Sequence, residues 1–272
     1  ASIGRSISYT GVMAVGMTFV IITGGIDLTV GSVFGLAGVV IGICLQSNVS
    51  LAISILLGLL TGVLVGALNG LAITKIGLPP FIVTLSLMNI TRGMAQGFTS
   101  GSPIKIPDSL KALAIGDFIG IPYTVCYMIV LAVIFSLILS KTVFGRQVYA
   151  LGGNEDAARL SGLNTTKLKV FVYAISGFLA AFAGIMTTAR LGVAQSANGD
   201  GYEMDVIASV VIGGTSMTGG KGTIIGSLIG AVIMGVLRNG LVMLDVNAYW
   251  QKVVIGSVIM GAVTMDMLRN KK

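Results

Sequence analysis

Few side chains in this chain could do chemistry. Its 272 residues include ten acids, two cysteines and no histidine. Histidine is the commonest metal ligand and general base, so its absence removes Ser/His and Cys/His nucleophile pairs. The cysteines, Cys44 and Cys126, sit in or beside apolar runs, and two are too few for a zinc or disulfide framework. Two carboxylate pairs remain. Glu155/Asp156 lies in a polar loop and Glu203/Asp205 at the edge of an apolar run, so they read as a solvated loop and a helix start. "GGTSMTGGKGT" (Gly213–Thr223) approaches a phosphate-binding loop. That motif needs Gly five residues before the Gly-Lys pair and Ser or Thr after it, where this chain has Thr215 and Gly222. No catalytic residue, metal site or bound cofactor is expected.

The elements holding these residues are membrane segments. Hydrophobic residues make up 54% of the chain and charged ones 10%, against roughly 25% charged in soluble domains. The mean hydropathy is +0.97. Apolar runs of roughly the 17–25 residues a spanning helix needs recur at 6–24, 30–46, 51–74, 80–98, 123–140, 168–189, 203–218, 222–243 and 250–268. The fold class is therefore all-α, a polytopic transmembrane helical bundle of about 9–10 segments in one domain, 1–272. The runs 30–46 and 203–218 are the doubtful spans, each a candidate broken or re-entrant helix. The net charge of +7 comes from bases scattered along loops and helix ends, which are topology signals rather than a nucleic-acid surface. Lys141, Arg146, Arg159, Lys167 and Lys169 put the 141–167 loop in the cytoplasm. Arg269, Lys271 and Lys272 put the C-terminus there too, and the four segments between agree.

Glycine is unusually frequent, 39 residues. Gly58, Gly62, Gly66 and Gly70 recur every fourth residue, as do Gly222, Gly226 and Gly230, which predicts two close-packing seams. "GGIDLTVGS" (Gly24–Ser32) is echoed by "GGTSMTGGK" (Gly213–Lys221). Two internal repeats with broken helices follow as an expectation, the breaks carried by Gly24, Gly25, Asp27 and Gly31 and by Gly213, Gly214, Gly219 and Gly220. Asn69, Thr84, Ser86 and Asn89 are polar at membrane depth and are candidate lining groups of a substrate path, with helix-to-helix hydrogen bonding the other reading. Arg92 and Arg238 fall toward outer segment ends, where long side chains can snorkel.

"ALGGNEDAARLSGLNTTKLKV" (Ala150–Val170) gathers charge in an apolar chain. Asn154 can cap a helix starting at Glu155, Glu155 and Asp156 then complement its dipole, and Gly162 can close it. Ala157, Ala158 and Leu160 give it a small apolar face. A helix of about two turns is too short to stand alone, so it needs a partner surface.

This stretch resembles the cytoplasmic coupling loop of permeases in bacterial ABC-type monosaccharide importers, the ribose/galactose/xylose group. "MAVGMTFVIITGGIDLTVGS" (Met13–Ser32), "GYEMDVIASVVIGGTSMTGGKGTIIGSLIGA" (Gly201–Ala231) and "NGLVMLDVNAYWQKVVIGSVI" (Asn239–Ile259) carry the same resemblance over essentially the whole chain, most like ribose permeases. The resemblance implies a permease subunit of the bacterial inner membrane that translocates a monosaccharide inward. It implies three partners: a second permease copy, identical or paralogous, a cytoplasmic ATPase with two cassettes that binds the ATP, and a periplasmic or lipid-anchored sugar-binding protein. Gly152, Gly153, Asn154, Glu155, Ala157, Ala158, Arg159, Leu160 and Gly162 become the ATPase-coupling residues. Such permeases carry one more N-terminal helix than is visible here, so that helix is expected to be missing. A nucleoside or furanosyl-signal permease and an ion-driven secondary transporter are the alternatives.

Overall fold

The computed structural model describes residues 2–270; Lys271 and Lys272 lie outside the described residues. Twelve helices account for most of the chain. They are α1 (Ser2–Ile22), α2 (Val30–Gln46), α3 (Leu51–Leu71, continued by a π-turn at Ala72–Ile76), α4 (Pro80–Thr99), α5 (Asp108–Lys111), α6 (Tyr123–Lys141), α7 (Val143–Gly153), α8 (Glu155–Leu160), α9 (Thr165–Leu191), α10 (Tyr202–Ile212), α11 (Ile224–Met243) and α12 (Ala248–Asn270). Four two-residue strands complete the described chain. β1 (Ile104–Lys105) pairs antiparallel with β4 (Val193–Ala194), and β2 (Asp117–Phe118) with β3 (Ile121–Pro122).

Among the described residues, five helices are long and apolar enough to cross a membrane: Gly4–Ile22, Leu51–Ile76, Tyr123–Lys141, Thr165–Leu191 and Ile224–Met243. The segments expected from sequence match the helices to within a few residues, with one exception. The run 203–218 is helical only to Ile212, because Gly213 and Gly214 end it, the latter at φ +88. The sequence also leaves 143–153 as loop, yet it forms α7, opened by the Thr142 hydroxyl accepting from Gly145 N–H at 3.3 Å.

The glycine seam on α3 is the main packing contact. A Cβ on Gly62, Gly66 or Gly70 would overlap backbone of α9 at Gly177, Tyr173 or Val170. The two helices therefore run antiparallel with their backbones touching. The second seam joins α10 to α11, where Gly226 and Gly230 lie against the Gly213 and Ser209 carbonyls. The faces turned away from these seams are apolar and exposed, as at Leu56, Leu60 and Leu64 on α3 and Val130, Val133 and Leu137 on α6. That belt suits lipid, where only helices that satisfy their own backbone can be exposed.

α2 runs beside α9 but begins partway along it, with the Phe34 carbonyl against Gly184. After β4 the chain turns back into the bundle. The Asn198 and Gly199 carbonyls rest on Gly35 and Gly31 of α2. Hence α10 starts beside the start of α2, inside the bundle, rather than at its end.

Candidate coupling site

α8 is the short helix expected at 154–161. Asn154 Oδ1 accepts from Ala157 N–H at 2.9 Å, and Gly162 closes the helix at φ +87. Glu155 pairs with Lys169 at 2.7 Å and Asp156 with Arg159 at 2.8 Å. Glu155, Ala157, Arg159 and Leu160 are exposed, whereas Ala158 is 5% exposed and faces the bundle. The apolar face is thus divided: Ala158 anchors the helix and Leu160, 86% exposed, projects from it.

Both glycine motifs are helix breaks, 23–29 between α1 and α2 and 213–223 between α10 and α11. Their backbones are not superimposable residue for residue. Gly24 is left-handed at φ +74 while its counterpart Gly213 is helical, and Gly31 lies inside α2 while its counterpart Gly220 is left-handed at φ +73.

The two breaks meet each other at the end of α7. Gly220 N–H donates to the Ile22 carbonyl at 2.8 Å. A methyl group on Gly152 would overlap that same carbonyl and the Gly220 nitrogen, and one on Gly219 would press on the Gly152 carbonyl. Nothing stands within 4 Å of such a group on Gly153. Tyr149 of α7 donates its hydroxyl to the Gly222 carbonyl at 2.7 Å, and Tyr173 of α9 donates to the Ile26 carbonyl at 3.4 Å. Each break thus has one carbonyl held by a tyrosine, and α7, which leads directly into α8, touches both.

The first break is further fixed by Asp27, which is fully buried. Its Oδ1 accepts from Thr29 N–H at 2.9 Å and from the Thr29 hydroxyl, and its Oδ2 from the Ser176 hydroxyl at 2.7 Å. Asn69 Nδ2 donates to Thr29 Oγ1 at 3.0 Å and to Asp27 at 3.5 Å. Break, α3 and α9 are joined by these groups.

Of the expected path residues, Asn69 and Thr84 do not reach a surface. Both are fully buried, Asn69 in the Asp27 network and Thr84 donating to the Pro80 carbonyl at 2.9 Å. Asn69 thus bonds across to the first break, and Thr84 bonds back to its own helix. Ser86 and Asn89 are exposed on α4. Gly93, Gln96, Gly97 and Ser100 continue the same exposed face, and a Cβ on either glycine would meet nothing within 4 Å. A polar, small-residue stripe on a membrane helix suits a water-filled cavity or a partner, not lipid.

Arg92 and Arg238 do not snorkel outward. Arg92 pairs with Asp200 at 3.6 Å and Glu203 at 3.8 Å, and Arg238 pairs with Asp205. Arg238 also lies over the Tyr202 ring at 5.7 Å, and that ring stacks on Phe34 at 5.3 Å. The inward turn of 195–201 carries the acids of α10 to these arginines. Arg92 is about 18 Å along α4 from Pro80 at a rise of roughly 1.5 Å per residue. These ion pairs span up to 111 positions of sequence, from Arg92 to Glu203, so no local pattern announces them; the Tyr149 and Tyr173 bonds were equally illegible.

A bundle of spanning helices, two interior breaks and an exposed two-turn helix wired to both defines a membrane transport permease. A family model described as the branched-chain amino acid transport system / permease component matches residues 1–263, and the chain belongs to that family. It is similar to the ribose import permease RbsC of Bacillus subtilis, 46% identical over 96% of this chain and 82% of that protein. RbsC of Escherichia coli K12 is 44% identical over 97% of this chain and 83% of its own length. The L-arabinose permease AraH of the same strain is 38% identical over 99% and 82%. No solved structure matches. The chain is an integral membrane permease subunit of an ABC-type sugar importer.

Proposed function

We propose that this permease carries ribose, or a pentose or hexose of similar size and polarity, inward through the bacterial inner membrane. The observation that carries the reading is similarity to ribose import permeases over 96% and 97% of this chain, at 46% and 44% identity. The solute is neutral. The buried acids of the bundle are engaged within it, Glu203 with Arg92, Asp205 with Arg238, and Asp27 accepting from Thr29, Ser176 and Asn69. Hydroxyl and amide groups remain, and these exchange hydrogen bonds with sugar hydroxyls without a charge to desolvate.

The path runs between two permease copies along the α4 stripe, so Ser86 and Asn89 line it. The face bearing α7 and α8 is cytoplasmic, by the excess of Lys and Arg there, and so is the C-terminus. A binding protein delivers sugar from the opposite side. This chain binds no cofactor; ATP acts on a separate ATPase whose two cassettes hold the two α8 helices. A population switch needs an effector with different affinity for the two states. ATP supplies that difference, α8 receives the movement, and the Gly152 junction passes it to both breaks.

The test is uptake by proteoliposomes holding permease, ATPase and binding protein, against a panel of pentoses, hexoses, nucleosides and amino acids. ATP-dependent uptake of ribose, competed by related sugars alone, is expected. Uptake driven by a proton or sodium gradient without the ATPase, or of a leucine-type amino acid with no sugar competing, refutes it.

A further inference from the structure

The segment 141–169 holds five bases and two acids. Both acids are taken, Asp156 by Arg159 and Glu155 by Lys169. Among the described residues Lys141, Arg146 and Lys167 have no acid partner. They sit on α6, α7 and α9, where these helices reach the same face of the bundle.

Between α7 and the start of α9 lies a groove of about 490 Å³. Its rim is polar, formed by Gln147, Ser161, Asn164 and Lys167, and its floor includes Phe144 and Phe171. Phe171 is 62% exposed and Val143, beside Phe144, is 59% exposed. Apolar side chains this open need cover from lipid or a partner, and Phe171 lies within the apolar span Thr165–Leu191, which favours lipid. Phe171 is about 9 Å along α9 from Thr165 at roughly 1.5 Å per residue. The groove therefore straddles the boundary between headgroups and acyl chains, with its one lining cation on the headgroup side. A soluble partner would meet α8 at Leu160, which projects from the surface and does not line the groove.

We propose that this groove binds an anionic phospholipid of the adjacent leaflet. Its phosphate lies against Lys167, its glycerol region against Gln147 and Asn164, and its acyl chains leave past Phe171. Basic pockets between membrane helices bind anionic headgroups in this way. Ser161 and Gly162, which close α8, also line the groove, so an occupying lipid bears on the position of the coupling helix. The bilayer then has a direct hold on the element that receives the ATPase stroke.

The experiment uses the assembled importer in nanodiscs of phosphatidylcholine containing phosphatidylglycerol, with either lipid carrying a photoreactive acyl chain. Mass spectrometry should place phosphatidylglycerol adducts on 144–147 and 161–171, in excess of phosphatidylcholine adducts at equal mole fraction. Lys167→Gln should lower the phosphatidylglycerol adducts roughly five-fold, the share of one basic side chain near a headgroup, and Lys105→Gln in β1 should leave them unchanged. Soluble glycerol phosphate should not compete. Equal labelling by the two lipids, labelling that ignores Lys167→Gln, or groove residues that cross-link to the ATPase instead of lipid would each overturn the proposal. Should Lys167→Gln fail to assemble, the ratio of the two lipids on the unaltered protein decides alone.

Discussion

Gly152→Ala tests the junction between α7 and the two breaks. The added methyl would overlap the Ile22 carbonyl oxygen and the Gly220 nitrogen, the two atoms of the 2.8 Å hydrogen bond that joins the breaks. All three elements are backbone, so no side chain can swing away. Losing that bond costs about 0.5–1.5 kcal/mol, and forcing volume into a packed site costs about 1–3 kcal/mol more. A sum of about 2–4 kcal/mol shifts the equilibrium against the closed junction by a factor of roughly 30 to 1,000. The neighbouring Gly153→Ala has open space at its methyl and should gain slightly from the better helix former, by up to about 1 kcal/mol. Thermal unfolding of the purified permease and ATP-driven uptake by the reconstituted complex measure both. Gly152→Ala is expected to lower the melting temperature and cut uptake at least ten-fold, with Gly153→Ala at or above the parent in melting temperature. Parental stability and uptake in Gly152→Ala, or equal damage from Gly153→Ala, would refute the junction.

Removing the α8 cap by Asn154→Ala should weaken that helix by about 1 kcal/mol and lower sugar-stimulated ATP hydrolysis, whereas Asn154→Asp keeps an acceptor and most of the activity; identical hydrolysis in all three would remove the cap from the mechanism. Cysteines at Ala157 and Leu160, both exposed, should react with maleimide from the cytoplasmic side and cross-link to the ATPase, while one at Ala158, 5% exposed, should resist until the complex moves; labelling only from outside intact cells contradicts the sidedness. Asp27→Leu strands the Thr29, Ser176 and Asn69 donors and should cost more than about 3 kcal/mol at roughly 1–3 per buried unpaired group. Asp27→Asn, which keeps an acceptor, should cost less, and equal unfolding of the two would show that the network is not what holds the first break. Asn89→Leu should slow uptake several-fold with the melting temperature little moved, because the residue is exposed and its one side-chain hydrogen bond is to the Leu85 carbonyl of its own helix; a stability loss without a transport change places α4 in packing instead.

The helices were legible because each is a long apolar run, and α8 because its cap, acids and closing glycine are all local. The α3 glycine file was legible for the same reason: spacing of four residues defines one face without knowledge of the partner. α7 escaped because its apolar positions are interrupted by Gly145, Arg146 and Gln147, and its start depends on the single Thr142 cap. The end of α10 was legible as the break at Gly213 and Gly214, although the apolar run reads on to 218. The least visible feature was the inward turn at 195–201, whose only signal is Gly199 and Gly201. That turn is what moved Arg92 and Arg238 from expected outer ends into ion pairs. The polarity of Asn69 and Thr84 was visible, but their direction was not, since whether a polar group faces a path or a neighbour depends on helix rotation.

The geometry also bears on how one short helix can reverse the open side of a transporter. If α8 touched one break only, its displacement would move one pair of helices and leave the other to follow through side-chain packing, which deforms easily. Here the Ile22 carbonyl, the Gly220 N–H and the Gly152 backbone share one point, so α1–α2 and α10–α11 move from the same origin. The start of α10 is also tied to the start of α2 and to α11. Tyr202 stacks on Phe34, Glu203 packs on Gly31, and Arg238 holds Asp205. α2 and α10 therefore cannot separate there without undoing the Phe34–Tyr202 stack and the close packing of Glu203 on Gly31. A hinge at the two breaks with α2 and α10 travelling together would preserve these contacts. The α4 stripe, linked to them through Arg92 and through the Thr91 hydroxyl donating to Ser32 at 2.6 Å, is carried along, so the surface that would line the path is the surface that moves.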